Sequence, residues 1–139
     1  MSSNLIMWPV LVQIMLTWIM FILLGIRKTQ DIKTGKVDRA KTALDNKAWS
    51  DDVIKVSNNI ANQFQTPVLF YALCFIIYSL NTVTTEVLIL AWIFIASRIM
   101  HAYVHIGSNH VPYRMNIFLF GCVALILMSL YCVWQLSII

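Results

Sequence analysis

Apolar residues along this chain gather in four long runs, and one extended polar stretch follows the first of them. The first run covers about Met7–Ile26, with Gln13 and Thr17 as its strongly polar side chains; the others cover about Ile60–Leu80, Thr85–His105 and Met115–Ser137. Each approaches the ~20 mostly apolar residues that a helix needs to cross a hydrocarbon core of about 30 Å. Such spans must be helical, because acyl chains offer no partners to backbone N–H and C=O groups. Alternating segments of about ten residues, the mark of a β-barrel, do not occur. The pattern therefore predicts an all-α membrane protein, a bundle of four transmembrane helices forming one domain over residues 1–139. Residues 2–6 carry no basic side chain, while Arg27 and Lys28 follow the first run. No small-residue cleavage site comes after it, so the run reads as a retained span and not as a signal peptide.

The polar stretch between the first two runs, residues 27–59, sets the expected orientation. Of ten Lys and Arg residues, eight lie between Arg27 and Lys55. Basic loops stay on the cytoplasmic side, so this loop is expected there, with both termini outside or in the lumen. Trp8, Tyr78, Tyr131 and Trp134 then suit the outer aromatic belt, and Tyr103 and Tyr113 the inner one. Within the loop, Ser50-Asp51-Asp52 offers an N-cap followed by two carboxylates, which favour a helix N-terminus. Val53, Ile54, Val56 and Ile60 continue at helical spacing. The second helix is thus expected to start near Asp51, two or three turns before the membrane. Residues 28–48 show no clear period.

Composition narrows the function classes. The chain is 60% hydrophobic and only 12% charged, against about 25% charged in soluble domains. Small domains have too much surface to hide so much apolar area from water, so the lipid bilayer is the expected partner. The net charge of +4 comes from one loop and is not spread over a face among aromatics, which argues against nucleic acid. Cys74, Cys122 and Cys132 fall inside apolar runs, an odd number without a C-x-x-C, and read as small buried fillers with no disulfide or metal role.

Polar groups at membrane depth carry the candidate chemistry. Asn58, Asn62 and Gln65, spaced four and then three apart, are expected on one face of the second helix, followed by Pro67, which should free the Gln63 carbonyl and bend the helix. Arg98, His101 and His105 share a face of the third helix by the same spacing. An Arg at that depth costs about 3 kcal/mol unless it is paired or wetted. The sole acid outside the loop, Glu86, is at the far end of its helix. Arg98 is then served by amides, backbone carbonyls, a loop carboxylate or a bound anion. Arg114, at the start of the fourth span, is either an interfacial anchor or a guanidinium aimed at an anion or thiolate. Together these residues describe a cationic cavity near the cytoplasmic end that one thin bundle barely encloses, which points to a symmetric homo-oligomer.

The stretch Asn62-Gln63-Phe64-Gln65-Thr66-Pro67-Val68-Leu69-Phe70-Tyr71, then Arg98-x-x-His101-x-x-x-His105-x-Gly107, then Pro112-x-Arg114, resembles the MAPEG family, the membrane-associated proteins in eicosanoid and glutathione metabolism. The resemblance extends over nearly the whole chain. It implies a homotrimeric four-helix bundle that binds glutathione between subunits near the cytoplasmic face. It implies further that Asn62, Arg98 and His101 contact glutathione and that Arg114 stabilises its thiolate. Arg27 or Lys28 would meet a glutathione carboxylate. The positions where the family usually carries Arg, Glu and Tyr are Asn58, Gln65 and His105 here, and they belong to the same expected glutathione site.

Three functions follow as alternatives. The resemblance implies a glutathione-dependent transferase or peroxidase acting on hydrophobic electrophiles, the apolar co-substrate arriving through the membrane. The replaced side chains at Asn58 and Gln65 suit instead a non-enzymatic trimeric membrane protein that binds another anion or a lipid. Intramembrane Arg and His also occur in channels and transporters, but no repeat or pair of broken helices accompanies them here.

Overall fold

The computed structural model of the chain describes residues 2–138. Its helices are α1 (Met7–Lys33), α2 (Arg39–Thr42), α3 (Asp51–Gln63), α4 (Thr66–Ser79), α5 (Thr85–Ile106) and α6 (Val111–Ser137). Single 3-10 turns precede α1 (Ser3–Ile6) and α3 (Asn46–Ala48). The described residues contain no β-strand. Four helical stretches are long and apolar enough to cross a membrane: Ser3–Lys33, Asp51–Ser79 (α3 and α4 together), Thr85–Ile106 and Val111–Ser137. The chain is an all-α, multi-pass integral membrane protein.

Large apolar side chains point outward along every span: Trp8, Trp18 and Ile22 on α1, Leu69 and Phe75 on α4, Ile89 on α5, and Leu130 and Val133 on α6. Patches of this extent are not tolerated in water and suit a lipid solvent. The interior is smaller. Phe70 of α4 stacks on Phe94 of α5 with ring centroids 4.7 Å apart, amid buried Ile77, Ala91, Ile95 and Met128. Helices α5 and α6 form the most extensive pair. They approach so closely at Gly121 that a Cβ there would collide with the Ser97 side chain. Small residues at such crossings let helices associate in lipid, where van der Waals contact replaces the hydrophobic drive.

The helices run further into water than the apolar runs. Helix α1 continues past the expected end at Ile26 to Lys33 and stops where Gly35, at φ +66, takes the left-handed conformation that ends many helices. Its last turns carry Asp31, whose carboxylate accepts the Ser50 N–H at 3.2 Å. Arg27 donates to the Asp52 carbonyl at 2.8 Å and to the Ile106 carbonyl at 3.4 Å. The far end of the long loop, at Ser50 and Asp52, is therefore fastened back to α1, and the loop holds a helical turn, α2, where no period was evident in sequence. Helix α3 begins at Asp51, as the Ser-Asp-Asp signal predicts. Helix α6 begins at Val111, four residues before the expected Met115, with Pro112 in its first turn, where a missing N–H costs nothing.

Span 2 departs furthest from expectation. Pro67 does not merely bend a continuous helix: α3 ends at Gln63, and Gln65 (φ −102, ψ −102) precedes a new helix with Pro67 in its first turn. The inward face of α3 also differs. Val53, Val56, Asn59 and Gln63 are buried, whereas Asn58 and Gln65 are exposed and Asn62 is half-buried. Gln63 accepts from Gln13 Nε2 at 2.7 Å and donates to Asn59 Oδ1 at 3.0 Å. This three-amide ladder ties α1 to α3 deep in the bundle.

Candidate functional site

The break in span 2 creates the site's rear wall. In a continuous helix the Asn62 carbonyl would accept from residue 66. Here the chain turns away, and that carbonyl accepts instead from the Gln65 N–H at 3.4 Å and from Arg98 Nη2 at 3.3 Å. Arg98 is 1% exposed, and its Nε and Nη1 have no partner among the described residues. Its guanidinium carbon lies 6.0 Å from the centroid of the Phe118 ring, a cation–π distance. One turn on, His101 is buried, its ring 5.6 Å from that of His105 and 5.9 Å from Phe118. The Nδ1 atoms of both histidines are shielded without a partner.

In front of this wall is a cavity of about 200 Å³ lined by Asn62, Gln65, His101, Val111, Arg114, Met115 and Phe118. Arg114 comes from the first turn of α6 and donates through Nη1 to the Asn109 side chain. Asn109 holds a left-handed backbone, φ 53, which Asn tolerates better than most residues. The guanidinium is thus steered from the α5–α6 turn. The cavity has Arg114 as its cation, two amides and an imidazole as polar partners, and no carboxylate. Such a lining suits an anion, with Phe118 and Met115 as an apolar side.

The fold therefore brings together Asn62, Gln65, His101 and Arg114, with Arg98 and His105 behind them. It does not bring in the remaining candidates. Asn58 and Lys28 line a separate cavity beside Trp49, and Arg27 is held by the two backbone carbonyls named above. Phe118 lines the site unforeseen, since an aromatic within an apolar span gives no distinguishing signal. Asn59 and Gln63 were also missed, although they continue the spacing of Val53 and Val56. Among the described residues no three His, Cys, Asp or Glu side chains gather as metal ligands would.

A cavity of 200 Å³ falls below the roughly 300–1,000 Å³ of a complete small-molecule site. Its donors fit part of a peptide anion such as glutathione: a thiolate or carboxylate at Arg114, with amide contacts from Asn62 and Gln65. No curated protein and no solved structure gives a significant match to the chain. The MAPEG family model matches residues 5–134. With four apolar helices and a family match over nearly its whole length, this chain belongs to the MAPEG family.

Proposed function

We propose that the protein is a glutathione-dependent transferase or peroxidase that acts on hydrophobic electrophiles. The observation that carries this reading is the cavity uniting Arg114 with Asn62, Gln65 and His101 at the broken end of a membrane helix. Arg114 sits where its positive charge favours the thiolate over the thiol, which makes the sulfur a nucleophile near neutral pH. In transfer, the thiolate sulfur bonds to the electrophilic carbon and the leaving group departs with its electron pair. In peroxide reduction, sulfur attacks the nearer peroxide oxygen, the O–O bond breaks, and the alkoxide takes a proton to leave as alcohol. The sulfenic acid so formed condenses with a second glutathione. Apolar grooves at Leu69, Leu73 and Ile126 and at Ile93, Met100 and Phe120 offer the apolar reactant a way in from the bilayer.

The same reading includes a homotrimer. The cavity is smaller than a tripeptide requires, and neighbouring subunits are the natural source of the missing wall. It also includes an orientation with the basic loop in the cytoplasm and both termini outside or lumenal, supported by the concentration of Lys and Arg in residues 27–55. The test is turnover of an aryl halide and of an organic hydroperoxide by the purified protein with glutathione. Arg114→Ala should lower either rate by 10²-fold or more, in line with the loss of one charge-stabilising donor. Wild-type rates no higher than those of glutathione alone, on several electrophiles of both kinds, would reject the enzymatic reading.

One observation favours a second reading. No carboxylate lines the cavity to meet the glutathione ammonium, which suits a non-enzymatic trimer that binds a different anion or a lipid. Gln65→Glu separates the two. If glutathione binds only after this change, the second reading holds.

A further inference from the structure

A second, partly open cavity lies between α3, the end of α1 and the 3-10 turn before α3. Lys28, Asn46, Lys47, Trp49, Val53, Ile54, Ser57 and Asn58 line a cavity of about 250 Å³. It forms because α1 runs beyond the membrane to Lys33 while the chain returns through the 3-10 turn at Asn46 to start α3. The Asp31–Ser50 hydrogen bond and the Arg27 clasp hold this corner shut.

The lining is rich in donors. Two ammonium groups, two carboxamides, a hydroxyl and an indole N–H can reach into it, and no carboxylate lines it. The only ion pair among the described residues joins Lys55 to Asp52, so neither cavity lysine is neutralised by a carboxylate. Lys28 Nζ lies 4.8 Å from the centre of the Trp49 ring. The Trp49 Nε1 is shielded from solvent and has no hydrogen-bond partner among the described residues, and an orphaned donor of that kind asks for an acceptor.

Two features choose among anions. Two lysines with no carboxylate partner can serve a phosphate group as point charges, which needs no planar fork. Trp49, Val53 and Ile54 add an apolar wall that inorganic phosphate would not use. We propose that this cavity binds a phosphate ester, with Lys28 and Lys47 on the phosphate, Trp49 Nε1 and the amides of Asn46 and Asn58 as further donors, and Val53 and Ile54 against the organic part. It lies just beyond the apolar part of α1, at headgroup depth, where basic residues meet anionic phospholipids. The phosphate comes either from such a lipid or from a soluble phosphomonoester. This site does not depend on glutathione binding at Arg114.

The test uses the full-length protein in phosphatidylcholine nanodiscs, alone, with added phosphatidic acid, or with soluble glycerol phosphate. Native mass spectrometry counts bound molecules per chain. The double variant K28Q/K47Q removes the cavity cations. The variant K36Q/K41Q removes the same charge from exposed loop positions outside it. Saturable binding of one phosphate ester per chain is expected, weakened at least tenfold in K28Q/K47Q and less than twofold in K36Q/K41Q. Uptake of phosphatidic acid alone identifies a lipid site, and uptake of glycerol phosphate identifies a soluble ligand. Equal weakening by both variants would reduce the effect to loop charge and overturn the proposal. So would the absence of saturable binding to wild type with either probe. Circular dichroism of both variants shows that the fold is intact.

Discussion

Replacing Gln63 with leucine should destabilise the bundle in a way that its neighbours can partly undo. Gln63 is 2% exposed, and Gln13 and Asn59 are fully buried. The substitution deletes two hydrogen bonds, of 2.7 and 3.0 Å, and leaves Gln13 Nε2 and Asn59 Oδ1 without them. The Gln13–Gln63 bond joins two helices and is worth about 0.6–2 kcal/mol, the Gln63–Asn59 bond lies within α3, and orphaning a buried polar group costs about 1–3 kcal/mol. These terms overlap, so Gln63→Leu should cost about 2–4 kcal/mol. Gln13→Leu breaks one of the same bonds and should cost about 1–2 kcal/mol by the same rule. In the double variant the orphaned Gln13 amide is gone. The combined loss should then be about 1–2 kcal/mol smaller than the sum, since contacting residues do not add. The assay is reversible denaturation in mixed micelles, followed by circular dichroism for the four proteins of the cycle. A neutral Gln63→Leu, or single losses that add to within about 0.5 kcal/mol, would refute the ladder as the device that registers α1 against α3.

Other perturbations probe different parts of the account. Arg98→Met should keep the fold and raise its stability by about 1–3 kcal/mol, because a buried guanidinium with a single neutral partner costs more than an apolar chain of similar length. The same variant should weaken glutathione binding roughly tenfold, about 1.4 kcal/mol, and calorimetry checks both effects. Gly121→Ala should destabilise by about 1–3 kcal/mol through overpacking against Ser97, with partial rescue by Ser97→Gly in thermal melts. Arg27→Gln removes hydrogen bonds to Asp52 and Ile106 and should cost about 1 kcal/mol, its partial exposure tempering the loss. Hydrogen exchange should show the start of α3 and the end of α5 loosening together. Chemical crosslinking in native membranes should stop at three chains; a ladder stopping at two would exclude the trimer.

The fold was legible where the physics is one-dimensional. Span length and apolarity locate four helices, and Ser50-Asp51-Asp52 marks the start of α3 to the residue, with the two carboxylates in its first turn, although the Ser50 hydroxyl makes no capping hydrogen bond. The face of α3 was not legible from the amides alone. Five of the eight residues from Asn58 to Gln65 are Asn or Gln, so amides occur all round the helix and cannot show which side is inside. The valines at 53 and 56 carry that information, since apolar residues before the membrane must face the bundle. The extent of the break at Gln65 was hidden for a different reason. Proline announces a lost hydrogen bond but not how the chain relaxes, and here the relaxed turn brings the Asn62 carbonyl to accept from Arg98, 36 positions away. Arg98, His101 and Arg114 were singled out because charge in an apolar span is costly wherever the fold places it. Phe118 was not, because an aromatic there costs nothing.

In the proposed function, Arg114 and its neighbours hold glutathione as a thiolate. The direct measurement is the ultraviolet difference spectrum of the purified protein titrated with glutathione near neutral pH. The account predicts a saturable thiolate band in wild type, nearly abolished in Arg114→Ala at matched folding. A titration that leaves the wild-type spectrum flat, or a band of equal strength after Arg114 is removed, would contradict it.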